Sequence, residues 1–324
     1  MNADGDRTSP RKISDPRYTR FQFVTIDVKF FCDRASFVLD DKFMLLTQTP
    51  IDQYVQVGSV KTRFWQAGQG KRTILLLHGA GGSAEFWYYN VLVLARKHRV
   101  IAIDMVGSGR SDKPSASYSL AFQAEFIRDF MDVMSIGSAV LVGHSMSGGA
   151  ALQLALMAPD RIEKLVLVGS FGLGREVTLS ARLATLPFAI RSLQPAPSVM
   201  RPMLRQNVFD VDRIPQEWID LRYPIFALPG RKEPLIQMAR TNLCLSGVKE
   251  SVYQPIVQNL PNITAPTLII WGKQDRIIPI DHAYIAAKHL PNAEQPLLLN
   301  QCGHYPHLEH PAEFNQAILD FVQV

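Results

Sequence analysis

A serine stands between an apolar run and a string of helix-forming residues in the stretch VLVGHSMSGGAALQLA, residues 140–155. This order predicts a tight strand–turn–helix connection that lifts the Ser145 hydroxyl clear of the backbone. The small Gly143 suits a place where strand and helix crowd each other. The N–H groups of the helix amino terminus would favour negative charge beside the hydroxyl, as nucleophilic catalysis requires. Taken alone, Ser145 could instead be an ordinary helix N-cap.

The turn differs from the usual G-x-S-x-G pattern at its last position, where Ser147 replaces the glycine. A side chain there adds crowding, but only that of one small group. The departure counts slightly against a nucleophilic Ser145.

A serine hydroxyl is a poor nucleophile unless a base takes its proton and a further group orients that base. His304, in NQCGHYPHLEHP, follows the apolar run PLLLN, and Asp275 follows the earlier run in LIIWGKQDRIIP. Since the carboxyl ends of parallel strands share one edge of a sheet, we expect Ser145, Asp275 and His304 to meet there. The order Ser…Asp…His along the chain is one in which serine triads occur.

The other histidines are interpreted as non-catalytic. His78 is assigned to the loop that binds the oxyanion, and His144 to a side chain that points away from its neighbour in the turn. His307 and His310 are interpreted as solvated or helix-capping residues. Three more fall in helical or connecting stretches: His98, His282 and His289.

Two backbone N–H groups are needed to stabilise the oxyanion of an acyl-transfer reaction. One is predicted to come from Met146, the residue after the nucleophile. The other should come from the glycine-rich loop AGGSAEFW, where Ala80 is the first choice and Gly81 the second.

Continuous apolar runs predict the buried strands that would position these residues. The runs are TILLLHG, HRVIAIDM, SAVLVGHS, EKLVLVGS, APTLIIWG and EQPLLLN. Two shorter strands, QYVQV and VKTRFWQA, flank a turn at Gly58, and helices are predicted over 120–134 and 149–158. PAEFNQAILDFV predicts a closing amphipathic helix. Strands that alternate with helices predict an α/β fold with a mostly parallel, doubly wound sheet of about eight strands.

One region interrupts this alternation. Residues 171–262 lack buried-strand runs and are rich in Pro, Arg, Met and Leu. We interpret them as a helical cap inserted into a core of residues 51–170 and 263–324, over the carboxyl ends of the strands. Residues 1–50 are expected to be a partly disordered N-terminal extension.

Composition narrows the class of protein. With 324 residues, 47% of them hydrophobic, the chain can bury a large α/β domain. The net charge of +5 is not gathered on a basic face, so no nucleic-acid partner is expected. Three widely spaced cysteines suit a reducing compartment. No secretory signal and no apolar run of spanning length are visible, so a cytoplasmic protein without a membrane span is expected.

A different chemistry fits one motif. GAGGSA, residues 79–84, matches the G-x-G-x-x-A fingerprint of dinucleotide-dependent oxidoreductases, and Asp104 follows about 20 residues later. However, two strand-like segments already precede the motif, and the stretches around Ser145, Asp275 and His304 would have no role. A catalytically idle binding protein on the same fold is a further alternative.

Five motifs occur along the chain in the order HGAGGS, DMVGSGRSDKP, GHSMSGG, WGKQDRIIP and GHYPHLEHP. The same order is found in the α/β-hydrolase family, which residues 52–324 resemble. The resemblance implies the α/β-hydrolase fold, a small-molecule substrate, neither cofactor nor metal, and structural roles for Asp104 and Arg110. A serine nucleophile speaks against the haloalkane dehalogenase and epoxide hydrolase branches. Homo-oligomer formation, and acyl transfer to an acceptor other than water, stay open.

Within that family the chain is most similar to the carbon–carbon bond hydrolases that cleave meta-ring-fission dienoates, and to carboxylesterases. Arg222 stands where those carbon–carbon hydrolases carry a cap arginine for the acid end of the substrate. His144 replaces an Asn of that branch and Tyr305 a Trp, while Tyr89 and Asn207 replace a pocket Asn and a cap Phe. The resemblance therefore implies that Arg222, Tyr305 and His144 contact the substrate, and leaves ester or carbon–carbon cleavage open.

Overall fold

The apolar runs of the sequence form the strands of one eight-stranded sheet. Val, Ile and Leu dominate these runs because a parallel strand is covered on both of its faces. The strands of the sheet are β1 (Gln53–Val57), β2 (Val60–Ala67), β3 (Thr73–Leu77), β4 (Arg99–Ile103), β5 (Ala139–His144), β6 (Ile162–Val168), β9 (Thr267–Gly272) and β10 (Leu297–Leu299). A separate pair, not predicted, consists of β7 (Leu243–Cys244) and β8 (Gly247–Val248).

The strand order across the sheet is β1-β2-β4-β3-β5-β6-β9-β10. β2 is antiparallel to β1 and β4, and the strands from β4 to β10 pair in parallel. In register, Gly143 of the central β5 pairs with Leu77 and Leu167. The carboxyl ends of β3, β5, β6 and β9 therefore meet at one edge of the sheet. The predicted α/β fold with a mostly parallel sheet of about eight strands is confirmed.

Twelve α-helices accompany the sheet among the described residues. They are α1 (Val91–Leu94), α2 (Leu120–Val133), α3 (Met146–Met157), α4 (Leu179–Leu183), α5 (Pro187–Arg191), α6 (Pro197–Leu204), α7 (Gln216–Phe226), α8 (Lys232–Asn242), α9 (Glu250–Asn259), α10 (Asp281–His289), α11 (Pro306–Glu309) and α12 (Pro311–Gln323). The helix behind Ser145 begins at Met146 rather than at Gly149, so the turn is shorter than predicted.

This computed structural model describes residues 49–192 and 194–323. The predicted N-terminal extension, apart from residues 49 and 50, lies outside them. Within the described ranges, no helix has the length and apolar character needed to cross a membrane. The same residues contain no group of three or more His, Cys, Asp or Glu side chains arranged to hold a metal ion.

Side chains alternate between the two faces of the sheet and build two hydrophobic layers. Leu75 and Leu77 of β3 pack in the layer that contains α2 and α3, whereas Ile74 and Leu76 pack in the opposite layer. All four are fully buried. Each such side chain contributes roughly 2 kcal/mol through burial, so the layers hold the strand ends, and the residues on them, in fixed positions.

Residues 169–266 connect β6 to its neighbour β9 and are called here the interstrand segment. The segment carries α4 to α9 and the short β7–β8 pair. Part of it returns to the sheet edge: the Asn207 carbonyl accepts a hydrogen bond from the backbone N–H of His304 at 2.6 Å. The interstrand segment therefore reaches the edge where the strands end.

Candidate active site

The turn between β5 and α3 holds Ser145 in a backbone conformation that serine rarely adopts, with φ +53° and ψ −122°. Backbone hydrogen bonds stabilise it: the Ser145 N–H donates to the Val168 carbonyl at 2.9 Å. The Ser145 carbonyl accepts from the N–H groups of Gly148 and Phe171 at 2.9 and 3.0 Å. Such a strained turn fits the tight strand-to-helix connection that exposes a nucleophile.

Crowding around this turn falls on two glycines and not on Ser147. A Cβ on Gly143 would lie 2.7 Å from the Cα of Gly148, and one on Gly148 would lie 2.1 Å from the Ser170 Oγ. The Ser147 hydroxyl instead donates a hydrogen bond to the His78 carbonyl at the end of β3. Ser147, which replaces the last glycine of G-x-S-x-G, is therefore accommodated without a steric clash.

The structure brings Ser145, Asp275 and His304 together. The Ser145 Oγ lies 2.9 Å from the His304 Nε2, and the His304 Nδ1 lies 2.7 Å from the Asp275 Oδ2. The other carboxylate oxygen accepts the backbone N–H groups of Ile277 and Ile278 at 2.8 and 3.0 Å. The side chains of His304 and Asp275 are 3% and 0% exposed. This arrangement can pass the serine proton to a fixed imidazole beside a carboxylate.

Gly169, just after β6, leaves room for the His304–Asp275 pair. Its φ is +50°, and a Cβ there would lie 3.1 Å from the His304 Nδ1 and 3.3 Å from the Asp275 Oδ2. The sequence interpretation missed this residue, although a glycine directly after a buried strand was visible.

Glu309 holds the loop that carries His304, and the sequence interpretation missed it as well. One carboxylate oxygen accepts from the N–H groups of Gly303 and Tyr305 at 3.0 and 3.1 Å. The other accepts from the N–H of Phe209, in the interstrand segment, at 2.6 Å. Burial raises the pKa of Glu309. The available signal was an acidic residue within GHYPHLEHP.

Of the residues chosen for oxyanion binding, Ala80 and Met146 line the same cavity as Ser145. Met146 is the first residue of α3, and the first N–H groups of a helix lack intrahelical partners. A Cβ on Gly79 would lie 2.8 Å from the Ser145 Cβ, so glycine lets the Ala80 loop approach the serine closely. Gly81, the second choice, lines a neighbouring cavity instead.

Two cavities meet at this edge, and Ala80 and Leu235 line both of them. The apolar chamber, about 210 Å³, contains Ser145 and is otherwise lined by apolar residues: Ala80, Met146, Phe171, Val177, Ala181, Ala184, Ile190, Leu235, Met238, Ala239, Leu243, Ile277 and Ile278. The polar chamber, about 230 Å³, is lined by Ala80, Gly81, Phe86, Met200, Met203, Leu204, Asn207, Trp218, Arg222, Phe226, Arg231, Leu235 and Tyr305.

Arg222 of α7 is buried in the wall of the polar chamber. Its Nη1 donates to the Ser83 hydroxyl and its Nη2 to the Gly81 carbonyl at 3.3 Å. The guanidinium lies over the Phe86 ring, 4.4 Å from its centroid. Among the described residues Arg222 forms no salt bridge, and its buried Nε has no hydrogen-bond partner. The chamber can therefore accept an anion.

Tyr305 and His144, the other two residues expected to contact substrate, are placed differently. Tyr305 lines the polar chamber, and burial raises the pKa of its hydroxyl, which stays protonated. His144 lines neither chamber: its Nε2 donates to the His304 carbonyl at 2.8 Å. Burial, and then His304 and His307, hold the pKa of His144 well below its usual range. His144 is thus a neutral support for the His304 loop.

The interpretation of His307 as solvated or capping is wrong. His307 is fully buried, and its ring centroid lies 4.6 Å from that of Trp87 and 5.8 Å from that of Phe86. Burial lowers its pKa to about 3. His310 is partly exposed, with its Nε2 3.2 Å from the Gln301 carbonyl.

Asp104, the acidic residue of the dinucleotide alternative, is fully buried in an ion-pair network. Its Oδ1 accepts from Arg63 at 3.0 Å and from the Ala84 N–H at 2.7 Å, and its Oδ2 accepts from the Arg110 N–H at 2.7 Å. Arg63, which the sequence interpretation missed, also pairs with Glu85 at 2.9 Å. Because these bonds occupy both carboxylate oxygens, Asp104 is not free to bind a ribose.

The chain matches a family model described as the alpha/beta hydrolase fold over residues 72–311. It is 32% identical to a 2-hydroxy-6-oxononadienedioate/2-hydroxy-6-oxononatrienedioate hydrolase of Paraburkholderia phymatum, over 85% of this chain and 97% of the relative. It is 31% identical to a 2-hydroxymuconate semialdehyde hydrolase of Pseudomonas sp. strain CF600, over 84% and 94%. A solved meta-cleavage product hydrolase from Pseudomonas fluorescens IP01, complexed with acetates, superposes with a TM-score of 0.72 at 26% identity, over 84% and 97% of the two chains.

Proposed function

We propose, from the premise that this chain belongs to the α/β-hydrolase fold family, that it is a cofactor-independent serine hydrolase that cleaves a carbon–carbon bond beside a carbonyl group in a small acidic substrate. One observation carries the proposal: Ser145, 2.9 Å from His304, lies in a chamber that shares Ala80 with a second chamber holding the buried cation Arg222. The relatives named as hydrolases of oxo-dienoic acids support the substrate class.

The attack of Ser145 on the carbonyl group begins with proton transfer. His304 takes the proton of Ser145, and the serine oxygen forms a bond to the carbonyl carbon. Asp275, at 2.7 Å, stabilises the imidazolium and keeps the ring oriented. The N–H groups of Met146 and Ala80 stabilise the oxyanion; one such donor typically contributes about 3–4 kcal/mol to the transition state.

Carbon–carbon cleavage needs an electron-accepting leaving group. Before the serine attacks, the enol of the substrate tautomerises to a ketone: its hydroxyl loses a proton and a carbon of the conjugated chain gains one. The electron pair released by the breaking bond is then conjugated to a second carbonyl. The leaving carbon then takes the proton held by His304, and water hydrolyses the ester on Ser145 to release an acid. Arg222 would bind the carboxylate end of the substrate in the polar chamber.

Ester hydrolysis is the second candidate, and the position of His144 favours it. This residue replaces an Asn of the carbon–carbon hydrolases, yet it lines neither chamber and donates to the His304 carbonyl. The side chain at position 144 therefore makes no polar contact with a substrate in either chamber. An ester needs no ketonisation, because its alkoxide leaves with the proton from His304.

The test compares the two substrate types with wild type, Ser145→Ala and the control Ser180→Ala, whose serine is exposed on α4. One substrate is a 2-hydroxy-6-oxo-2,4-dienoate, followed by loss of its conjugated absorbance, and the others are p-nitrophenyl esters. We expect the dienoate to be turned over with the higher kcat/KM, and Ser145→Ala to be inactive. Faster ester cleavage would select the second candidate. Equal rates for wild type and Ser145→Ala would refute both.

A further inference from the structure

The polar chamber contains a second cation, Arg231, for which the proposed function has no role. Arg231 directly precedes α8 and lines the chamber together with Arg222. Its guanidinium carbon lies 3.7 Å from the centroid of the Phe226 ring, and its buried Nη2 has no hydrogen-bond partner among the described residues. Arg231 also lines a surface depression together with Arg191, Lys232 and Glu233. The residue thus stands between the chamber and solvent.

No described carboxylate forms a salt bridge with either arginine. The charge of Glu85 offsets part of the burial of Arg222, whose pKa burial nevertheless lowers, and the acidic side chains of this region have other partners. Glu85 pairs with Arg63 and Arg110 at 2.9 and 2.8 Å. Glu217 accepts from the Tyr89 hydroxyl at 2.7 Å, and Glu233 pairs with Arg191 at 3.1 Å.

Two like charges in one small chamber repel each other. Burial, and then the positive charge of Arg222, lower the pKa of Arg231. Arg231 is only partly buried, so water offsets part of the cost of its charge, and an opposite charge bound in the chamber would offset more of it. A single carboxylate on Arg222 would still leave Arg231 without a counter-ion.

We propose that the polar chamber binds a head group with two negative charges, and that Arg222 holds one charge and Arg231 the other. Two neighbouring carboxylates or one phosphate monoester fit this chemistry, since guanidinium groups bind both with paired N–H donors. The inference rests on the proposed function only in that the chamber receives one end of the substrate. Arg231 then acts as a specificity-determining residue that contacts the substrate.

Binding measured without turnover tests this inference separately from the proposed function. Calorimetric titrations of the Ser145→Ala protein use benzoate, phthalate and phenyl phosphate, which share one ring and differ in the charge of their head groups. Each is repeated with Arg231→Met, which keeps an unbranched side chain over Phe226, with Arg231→Lys, and with the control Arg96→Met. Arg96 is exposed on the connection before β4, so its variant removes the same charge elsewhere.

We expect phthalate or phenyl phosphate, or both, to bind at least about tenfold more tightly than benzoate. Arg231→Met should abolish this preference and change benzoate affinity by less than about threefold, whereas Arg231→Lys and Arg96→Met should keep it. Tighter binding of phthalate alone would indicate a head group with two carboxylates, and tighter binding of phenyl phosphate alone would indicate a phosphate monoester. Equal affinity for all three anions, or equal losses for benzoate and the dianions in Arg231→Met, would overturn the inference. Because no reaction is involved, a failed hydrolysis assay would leave this result unaffected.

Discussion

The apolar and polar chambers share Ala80 and Leu235 but differ in nearly everything else. Ser145 is the one polar residue in the described lining of the apolar chamber, whereas the polar chamber includes Arg222, Arg231 and Tyr305. The Ser145 hydroxyl and the two arginines therefore lie in adjoining chambers. The difference suggests that one chamber performs the reaction and the other selects the substrate.

The physical chemistry of the two linings explains why selection belongs to the polar chamber. An apolar pocket distinguishes substrates by only about 1–3 kcal/mol per methylene group. Removing one partner of a buried ion pair, such as one between Arg222 and a substrate carboxylate, costs about 3–5 kcal/mol. A substrate without a negative charge thus loses more binding free energy in the polar chamber than a poorly fitting apolar group loses in the apolar chamber.

The largest expected effect comes from Ser145→Ala. Without the nucleophile, kcat should fall at least about 10⁴-fold for acidic and neutral substrates alike, because both react in the apolar chamber. Steady-state assays with a dienoate and a p-nitrophenyl ester measure this. A variant that loses activity on only one substrate type would show that the chambers do not share one nucleophile.

The next effect comes from Arg222→Met. For a substrate with a carboxylate, kcat/KM should fall about 10²–10³-fold, equivalent to about 3–4 kcal/mol. A neutral ester should change by less than about threefold. Arg96→Met, which removes an exposed arginine, serves as the control, and thermal unfolding checks that Arg222→Met is folded. Equal losses on both substrates would mean that Arg222 supports the fold rather than the acid group.

A smaller effect is expected in the apolar chamber. Ala184→Phe places a ring in space that the acyl group would use, so kcat/KM for p-nitrophenyl hexanoate should fall about tenfold relative to the acetate. The control Leu183→Phe alters the neighbouring residue, which is 40% exposed and lines neither chamber. An unchanged chain-length profile in Ala184→Phe would place the acyl group elsewhere.

The last prediction concerns stability rather than activity, at the aromatic wall of the polar chamber, where Phe86 and Tyr305 pack against His307. Burial lowers the pKa of His307 from 6.5 to about 3, so below pH 6.5 the unfolded chain binds a proton that the folded chain does not. The free energy of unfolding therefore does not depend on His307 above pH 6.5, and the proton taken up by the unfolded chain lowers it as the pH falls from 6.5 towards 3. In urea titrations across this window, the free energy of unfolding should fall less steeply in His307→Leu, by about 1.4 kcal/mol per pH unit. Parallel curves would contradict a neutral, buried His307.

The sequence alone was sufficient to predict the strands of the sheet and the polar residues at their carboxyl ends. Continuous apolar runs identify buried parallel strands, and the polar residues that follow them must lie at one edge. For this reason Ser145, Asp275 and His304 could be chosen from positions far apart in the chain, and the structure places them within hydrogen-bond distance.

Residues whose surroundings come from distant parts of the chain were not predictable. His307 is buried because Trp87 and Phe314 pack around it, and the local sequence PHLEHP does not predict contacts with either residue. His144 was matched to a family position, but its ring orientation depends on the His304 carbonyl. Arg231 was not singled out, since its place beside Arg222 in the lining of the polar chamber follows from the fold of the interstrand segment.

A covalent label measures the nucleophile most directly. Wild type, Ser145→Ala and His304→Ala are incubated with a fluorophosphonate and analysed by intact mass and peptide mapping. One adduct per chain is expected, on the peptide that contains Ser145, with none in Ser145→Ala and slow labelling in His304→Ala. An adduct on another serine, or equal labelling of wild type and Ser145→Ala, would contradict a nucleophile at the start of α3.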